Sequence, residues 1–414
     1  MSSRFDQRPL PLYGVESTNR IKVSKLMTLL DNHPYKENIA KAFKTEEILD
    51  EYISIDYIDV VHNKIVSILS DFKRFGIKAY IKDVSLIEHG LPVDGISGVP
   101  IKFVFENYEY NSDKLNDLEA FAIHDAKNSF LGQYDMTKYA NRLYKDHFYD
   151  LARHNIEHFK NLAAASPAED KLRSYRLVEH QREVFVRGIT SVNQYNEYGI
   201  DFAFVVGMLV FHSIMKENQG DAYGISSVAL SASKLELIIA DKYLKDAKGF
   251  GKVSSSTIIS TNDLGSASLK FLNIVKVGIK DSKGFYIYPD PKKDYKNDLM
   301  VTHSTKVDNA LVLIKGAKGI IRSSDEFIEE LEKVKMISKP EELRSRIVFK
   351  LENKNSPFKT ITSVKDLFST VIANNIENFA KLLDMCRKAE ELDIEYDLKD
   401  KLRYIISDII LNKK

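Results

Sequence analysis

The sequence has almost no cysteine, and this scarcity limits the chemistry that the protein can use. Cys386 is the single cysteine among 414 residues. It excludes an intramolecular disulfide framework and any zinc site that is built from several cysteines. Low cysteine content is typical of proteins that stay in a reducing compartment. We therefore expect a chain that works in the cytoplasm or assembles inside a cell.

A net charge is nearly absent as well. The chain carries 60 Lys and Arg residues against 59 Asp and Glu residues, which leaves a formal charge of +1. Such a balanced chain has no global field that would attract a polyanion. Any nucleic-acid site must therefore be a local basic patch.

Long hydrophobic runs are also missing. The longest run, "IDFAFVVGMLVFHSIM" at 200–215, is short for a membrane span and contains Asp201 and His212. It predicts a helix that is buried inside the protein. The first 20 residues contain no apolar core of the kind that signal peptides have. We expect no contact with a membrane.

The periodic patterns predict an α+β protein. It has a helical and β-hairpin N-terminal region, a central antiparallel sheet with a buried helix, and a helical C-terminal region. Pro9 and Pro11 prevent a regular helix at the start of the chain. The predicted units are an extended arm (1–20), an N-terminal α+β region (21–163), a central antiparallel β-sheet domain (171–320) and a C-terminal helical region (321–414).

Turn residues and alternating polarity divide these regions further. "AAASPAED" at 163–170 is the predicted linker. Before it, a long hairpin is predicted from 77–89 and 99–110, and helices over 114–163. After it, "YRLVEHQREVFVRGITS" predicts one or two strands. A meander is then predicted at 223–230, 234–241, 253–261, 267–279 and 284–288.

The stretch "LKDAKGFGKVSSSTIIST" at 244–261 has glycines beside a lysine, which invites a phosphate-loop interpretation. A phosphate loop needs Ser or Thr directly after Gly-Lys, but Val253 follows Lys252. Asp246 also stands where the first glycine should be, and a β-branched run follows instead of a helix. The stretch therefore predicts a glycine turn that joins a helix end to a strand.

Three histidines form one candidate metal site. His147, His154 and His158 share a face if residues 144–162 form a single helix, and imidazoles one turn apart can chelate a metal. Zinc proteases need Glu directly after the first histidine of the pair, whereas Asn155 follows His154. Ordinary helix packing is the alternative, and we expect no metal site.

His124-Asp125 forms a second candidate metal site, because this dipeptide occurs in metal phosphohydrolases. His62 lies upstream of it, but the spacing is not diagnostic. We find no G-x-S-x-G serine elbow and no dinucleotide-binding glycine motif. Cys386 lies in a helical pattern and is expected in the core or half-exposed. We therefore expect no cofactor and, more generally, a protein that is not an enzyme.

A loop at 284–306 combines aromatic and basic residues. Aromatic rings can stack on bases while lysines bind phosphates, so this pattern predicts contact with DNA or RNA. Aspartates and prolines in the same loop favour the alternative of a solvated loop. A second basic-aromatic patch is "FKRFGIKAYIK" at 72–82. The candidate nucleic-acid-binding residues in the loop are Tyr286, Tyr288, Lys292, Lys293, Tyr295 and Lys296.

Three stretches in the centre of the chain resemble a known family. They are "VFVRGITSVNQYNEYGIDFAF" (184–204), "SSTIISTNDLGSASLKFLNIVKVGI" (255–279) and "VTHSTKVDNALVLIKGA" (301–317). Their order resembles the phage/plasmid-like family of unknown function that occurs in prophages and mobile elements, over about residues 175–320. The resemblance implies an association with phages or plasmids in a bacterial host, and it carries over no catalytic residue.

These patterns together predict a non-enzymatic protein of a phage or mobile element that binds nucleic acid or supports its handling. The N-terminal arm and the C-terminal helices leave a second hypothesis open, which is a virion structural or assembly protein that forms oligomers. The histidines leave a third, which is a metal-dependent hydrolase.

Overall fold

A computed structural model gives the fold of the chain. It describes residues 4–96, 98–165, 171–218, 222–247, 250–264, 269–278, 284–288, 298–322, 328–329, 331, 339–369 and 379–411.

Helices lie at both ends of the chain and between the sheets. In the described residues they are α1 (Val23–Met27), α2 (Lys36–Phe43), α3 (Ile58–Asp71), α4 (Ala126–Leu131), α5 (Thr137–Lys145), α6 (Tyr149–Ala165), α7 (Gly199–Glu217), α8 (Val307–Arg322), α9 (Pro340–Glu352), α10 (Thr362–Ser369), α11 (Phe379–Glu390) and α12 (Tyr396–Leu411).

Strands occupy most of the centre. They are β1 (Arg8–Pro9), β2 (Ile21–Lys22), β3 (Tyr52–Ile53), β4 (Ile55–Asp56), β5 (Lys73–Tyr80), β6 (Val84–Glu88), β7 (Ile101–Tyr110), β8 (Asp113–Ala122), β9 (Leu172–His180), β10 (Glu183–Ser191), β11 (Tyr223–Leu230), β12 (Lys234–Asp241), β13 (Lys245–Ala247), β14 (Gly251–Asn262), β15 (Leu269–Val277), β16 (Phe285–Ile287) and β17 (Asp298–Val301).

Strands β5 to β10 close into a small barrel. Their order is β5-β9-β10-β8-β7, and both β5 and β6 pair with β7 to complete the ring. Neighbours are antiparallel except β8 and β10, which run parallel. A 3-10 turn at Ile81–Asp83 separates β5 from β6, which together act as one bent strand.

The barrel has a recognisable topology. Numbered along the chain, with β5 and β6 as the first strand, its five strands follow the closed order 1-2-3-5-4-1. Helices α4 to α6 lie between the third and fourth strands. This is the arrangement of the oligonucleotide/oligosaccharide-binding (OB) fold, a five-stranded Greek-key barrel. Large apolar side chains fill its interior, among them Phe103, Phe105, Tyr175 and Leu177.

The second sheet is larger and mainly antiparallel. Its main path is β1-β11-β12-β14-β15-β16, with β4, β13 and β17 paired at its margins. Helix α7 lies in a core that it shares with α1 to α3 and with this large sheet. By length and composition α7 could cross a membrane, but 83% of its apolar window is buried inside the protein. Burial on nearly every side explains why α7 shows almost no polar face.

Helices α9 to α12 pack on one end of the large sheet, around Val253, Val275 and Phe285. A buried polar contact fixes them there. Arg403 of α12 donates to Glu236 of β12 at 2.9 Å, and the Tyr396 hydroxyl donates to the same carboxylate at 2.6 Å. Because a buried charge requires a partner, this contact also fixes the register of α12 on the sheet.

A buried ionic cluster joins the barrel to the large sheet. Its arginines come from three barrel strands and its carboxylates come from the other side. The cluster, called the junction below, consists of Arg74 (β5), Arg176 (β9), Arg187 (β10), Glu197, Asp201 (α7) and Asp263.

The contacts of the junction are short and enclosed. One nitrogen of Arg74 donates to both carboxylate oxygens of Asp201 at 2.9 Å. Arg187, whose side chain is 1% exposed, donates to Glu197. Burial alone would raise the pKa of Glu197, but the arginines outweigh it and lower that pKa to about 2. Glu197 therefore stays ionised at neutral pH, while burial and the charge of Glu197 raise the pKa of Asp263.

Several sequence predictions agree with this fold. The α+β class is confirmed, and β11, β12 and α7 lie where strands and a buried helix were predicted. The stretch after Gly251 forms strand β14, and no helix begins at Lys252. The element before that turn, however, is strand β13 and not a helix end, so the turn belongs to a hairpin.

The prediction of helices over the whole of 114–163 is wrong at its start. Residues Asp113–Ala122 form β8, which pairs with β7 along its full length. The first five residues of β8 are exposed and all but Leu115 are polar, so they lack the alternation of buried and exposed residues that marks a strand. Cross-strand pairing, which a single-sequence pattern cannot show, decides the structure here.

The predicted boundary at 163–171 falls inside the barrel, because β9 and β10 complete the sheet that β5 to β8 begin. Residues 166–170 of the predicted linker lie outside the described residues. The predicted arm is extended, as expected from its prolines. It adds strand β1 to the large sheet by pairing with β11.

The substitution Gly284→Ala should destabilise the protein by about 2 kcal/mol or more, the range for a strained backbone position. Gly284 has a φ of +69°, and an added Cβ would lie 2.4 Å from the carbonyl oxygen of Val277. Urea unfolding measures the effect. Gly316→Ala is the matched control, since nothing lies within 4 Å of its Cβ and it sits inside α8. It should be neutral or stabilising by up to about 1 kcal/mol. Equal effects would contradict the prediction.

Arg187→Met should lower the free energy of unfolding by about 3 kcal/mol, because it leaves the half-buried Glu197 and the fully buried Asp263 without this positive charge. The same urea titration gives the value. Arg142→Met is the control, because that side chain is 84% exposed. It should change stability by less than about 0.5 kcal/mol. A small effect of Arg187→Met would show that the junction does not hold the barrel in place.

Candidate nucleic-acid interface

A large cavity lies between the barrel and the rest of the protein. Its volume is about 1240 Å³. One wall is formed by the β6–β7 loop, by the end of β8 and by the start of α4. The facing wall consists of Lys234 and of residues 393–397, which connect α11 to α12. Residues 5–9 of the arm line the remaining side, and we call this space the barrel cleft.

The position of the barrel cleft follows from the topology of the barrel. The β6–β7 loop joins the first and second barrel strands, and β8 is the third. OB folds bind oligonucleotides on the face of the second and third strands, between the loops that flank it. The barrel cleft lies where the loop after the first strand meets the end of the third strand.

Basic side chains enter the barrel cleft from three elements. Arg8 comes from the arm, Lys127 from α4 and Lys234 from β12. Acidic side chains also line it, since Asp6 and the 393–397 segment contribute carboxylates. The ammonium group of Lys234 lies 2.6 Å from Asp397. The barrel cleft is therefore a mixed surface in which the chain neutralises its own basic groups.

An aromatic patch lies beneath Phe5, the arm residue that lines one end of the barrel cleft. Phe185 of β10 lies 6.0 Å from Phe121 of β8, and Phe121 lies 5.2 Å from His89, measured between ring centroids. Phe5 of the arm covers this patch at 4.7 Å from Phe185. Phe185 is fully buried under this cover, so the patch could accept a nucleic-acid base only if Phe5 moved away.

His124 occupies the centre of the barrel-side wall. It has a left-handed backbone with φ of +51°, which is uncommon for a residue other than glycine. Burial lowers the pKa of His124 to about 4, and the charges of Lys234 and Arg187 add to this effect. Its side chain is exposed to the cleft. The imidazole is therefore neutral near neutral pH.

No protein-family model, curated protein or solved structure matches the chain. The barrel topology is consequently established by strand order and strand direction alone.

A second cavity, of about 860 Å³, lies beside the junction. The patch predicted at 72–82 contributes Phe72, Lys73, Arg74 and Phe75 to its lining. Glu197 and Asp201 form part of the same lining, and Arg74 is already paired with Asp201. Because Arg74 already serves this ion pair, we assign the cavity to the structure that supports the barrel.

The aromatic residues predicted in the 284–306 loop are buried. The Tyr286 hydroxyl lies 3.1 Å from that of Ser226, and the Tyr288 hydroxyl donates to Asp400. Tyr286 is 5% exposed and Tyr288 is 3% exposed, so neither ring presents a face for stacking. Both instead anchor α12 on the large sheet. The remaining predicted residues, Lys292, Lys293, Tyr295 and Lys296, lie outside the described residues.

The histidines considered as candidate metal ligands do not lie on one helix. His147 has a φ of +62° and lies between α5 and α6, where its ring contacts the Tyr149 hydroxyl at 2.6 Å. His154 and His158 are exposed on α6. His62 is buried in α3, with its ring 3.2 Å from the Lys25 carbonyl oxygen. Among the described residues, no group of three His, Cys, Asp or Glu side chains is placed to hold a metal ion.

Sequence reasoning missed the barrel cleft because its residues come from distant parts of the chain. Arm, barrel loop, β12 and the segment after α11 each contribute a few side chains, and none forms a motif. His124 was noticed only as half of a His-Asp dipeptide. The pattern that could have found the site is the series of strand, strand, strand, helices, strand, strand between 73 and 191. Reading β8 as a helix concealed it.

Lys234→Met should raise the pKa of His124 toward its ordinary value, because it removes a nearby positive charge and releases Asp397. The pKa of the wild-type histidine should lie near 4. The histidine Cε1 proton signals in an NMR pH titration report both values. His124→Asn identifies the signal. An unchanged titration in the Lys234 variant would contradict the placement of Lys234 beside His124.

Proposed function

We propose that this chain binds single-stranded nucleic acid in the barrel cleft, as a non-enzymatic protein of a phage or mobile element. The observation that carries the proposal is the closed strand order 1-2-3-5-4-1, with a cavity beside the loop after the first strand. OB folds use this part of the barrel for oligonucleotides. Since a fold alone does not fix a function, the side chains of the cleft must support it too.

The side chains supply both interactions that a single strand needs. Lys127 on the barrel wall and Lys234 on the opposite wall line the cleft and would bind phosphates on either side of a strand. Phe185, Phe121 and His89 would supply rings for bases once Phe5, which covers Phe185, moved away. A cleft with two walls favours a flexible single strand, because paired bases in a duplex would not reach the rings.

The net charge of the chain favours a local nucleic-acid site over a general attraction for nucleic acid. The formal charge of +1 gives the protein no overall attraction for nucleic acid. Binding should therefore depend on the few lysines of the barrel cleft, and it should be weak at high salt. Association with a phage or mobile element rests on the resemblance of residues 175–320, which covers β9 to α8.

The two other hypotheses stay predictions. Self-assembly as a virion component is not tested by a single chain. Metal-dependent hydrolysis has little support from the described histidines, which are separated or already bonded to backbone and tyrosine groups.

Lys127→Gln combined with Lys234→Gln should weaken binding of a labelled oligothymidine about tenfold or more, at about 1 kcal/mol per lost phosphate contact. The slope of log affinity against log salt should fall by about 1.4, since each contact with a single strand contributes about 0.7. Fluorescence anisotropy over a salt series measures both quantities.

The matched control is Lys138→Gln combined with Lys145→Gln. It removes the same charge from exposed positions on α5, away from the cleft lining. Thermal unfolding of both variants confirms that they are folded. Absence of binding by the wild-type protein at low salt would refute the proposed function. Equal losses in the two double variants would refute the barrel cleft as the site.

A further inference from the structure

The N-terminal arm crosses the barrel cleft and is fastened on both sides of it. On the barrel side, Arg4 donates to Gln181 at 3.1 Å and to Glu183 at 2.9 Å, at the turn between β9 and β10. On the other side, Arg8 and Pro9 pair with β11 of the large sheet, and Gln7 donates to the Ala229 carbonyl oxygen at 3.0 Å. Residues 4–9 thus form a strap between the two walls.

The strap places an aromatic ring where a base would stack. Phe5 is 4% exposed and lies against Phe185 at 4.7 Å and His124 at 6.3 Å. The guanidinium of Arg4 lies over the same Phe185 ring, 5.0 Å from its centroid. The Phe5 ring and the Arg4 guanidinium together cover the Phe185 ring. A nucleotide base cannot reach Phe185 until Phe5 leaves.

The opposite wall holds a carboxylate where a phosphate would bind. Asp397 pairs with Lys234 at 2.6 Å, and Asp393 and Glu395 line the cleft beside it. The Phe5 ring takes the place of a base, and the Asp397 carboxylate takes the place of a phosphate. The chain therefore supplies, from its own residues, the two chemical groups of a nucleotide. The barrel cleft is therefore filled by the protein in a way that resembles its proposed ligand.

From this arrangement we propose that residues 4–9 are an autoinhibitory strap, which single-stranded nucleic acid must displace from the barrel cleft. The inference rests on the proposed function and adds a regulation to the same site. The contacts of Arg4 allow the strap to be released, because the Arg4–Glu183 ion pair is partly exposed and such pairs contribute little to stability. A strap that opens in only a fraction of the molecules lowers the apparent affinity by that fraction.

The test compares the full-length wild-type protein with the variant Arg4→Ala combined with Phe5→Ala. Both are titrated with labelled oligothymidine at low salt. We expect the variant to bind about fivefold to tenfold more tightly, the gain expected if the strap is open in a tenth to a fifth of the molecules. The salt dependence should stay the same, because no phosphate contact is gained. Tyr13→Ala is the control, since this arm residue is 92% exposed. It should bind as the wild type does.

A second readout follows the strap directly. Chymotrypsin cleavage after Phe5 in the wild-type protein should become faster when oligothymidine is added, because the ring leaves its pocket. Cleavage after Tyr13 serves as the internal reference.

The outcomes separate the two proposals. Equal affinity of wild type and strap variant would overturn the strap and leave the proposed function standing. Weaker binding by the variant would show that the arm belongs to the binding site, which also overturns the strap. Slower cleavage after Phe5 on adding oligothymidine would do the same. Absence of binding by both proteins would overturn the proposed function and the strap with it.

Discussion

The structure depends on an ionic junction buried between its two sheets. Three barrel strands each contribute one arginine, and the carboxylates come from α7, from the segment before it and from the end of β14. Enclosing these charges without their partners would be unfavourable, because an unpaired buried charge costs several kcal/mol. Pairing them fixes the orientation of the barrel on the large sheet. The barrel cleft exists because this orientation leaves a gap beside the arm.

Much of the fold could be predicted from local patterns. The predictions failed where contacts between distant parts of the chain decide the structure. α7 was predictable because most of its residues are apolar. β11 and β12 were predictable because turns flank them. β8 was not, because its outer half is polar and only pairing with β7 makes it a strand. Tyr288 donates to Asp400 of α12, and Arg403 of α12 lies over the Tyr286 ring, so both contacts involve residues more than a hundred positions later in the chain. No local window contains that information.

The candidate site shows the same division between local and distant information. A lysine-aromatic loop was expected to bind nucleic acid, yet its two described tyrosines serve the core. The barrel cleft instead collects single residues from four separate parts of the chain, including Arg8, His124 and Lys234. Each of them is unremarkable in sequence. They form a candidate site only in the folded protein, where they lie around one cavity beside the barrel.

The position of the barrel within the chain has a consequence for the order of folding. Helices α1 to α3 precede the barrel and α7 follows it, yet all four share one core with the large sheet. Residues 21–68 must therefore wait, with their apolar faces unsatisfied, until residues after 198 have been synthesised. Such distant contacts slow folding, because a long loop must close before they stabilise the chain. A barrel that forms first would bring Arg74 and Asp201 together and shorten that loop. During synthesis the barrel would then hold the two parts of the surrounding core close enough to pack together.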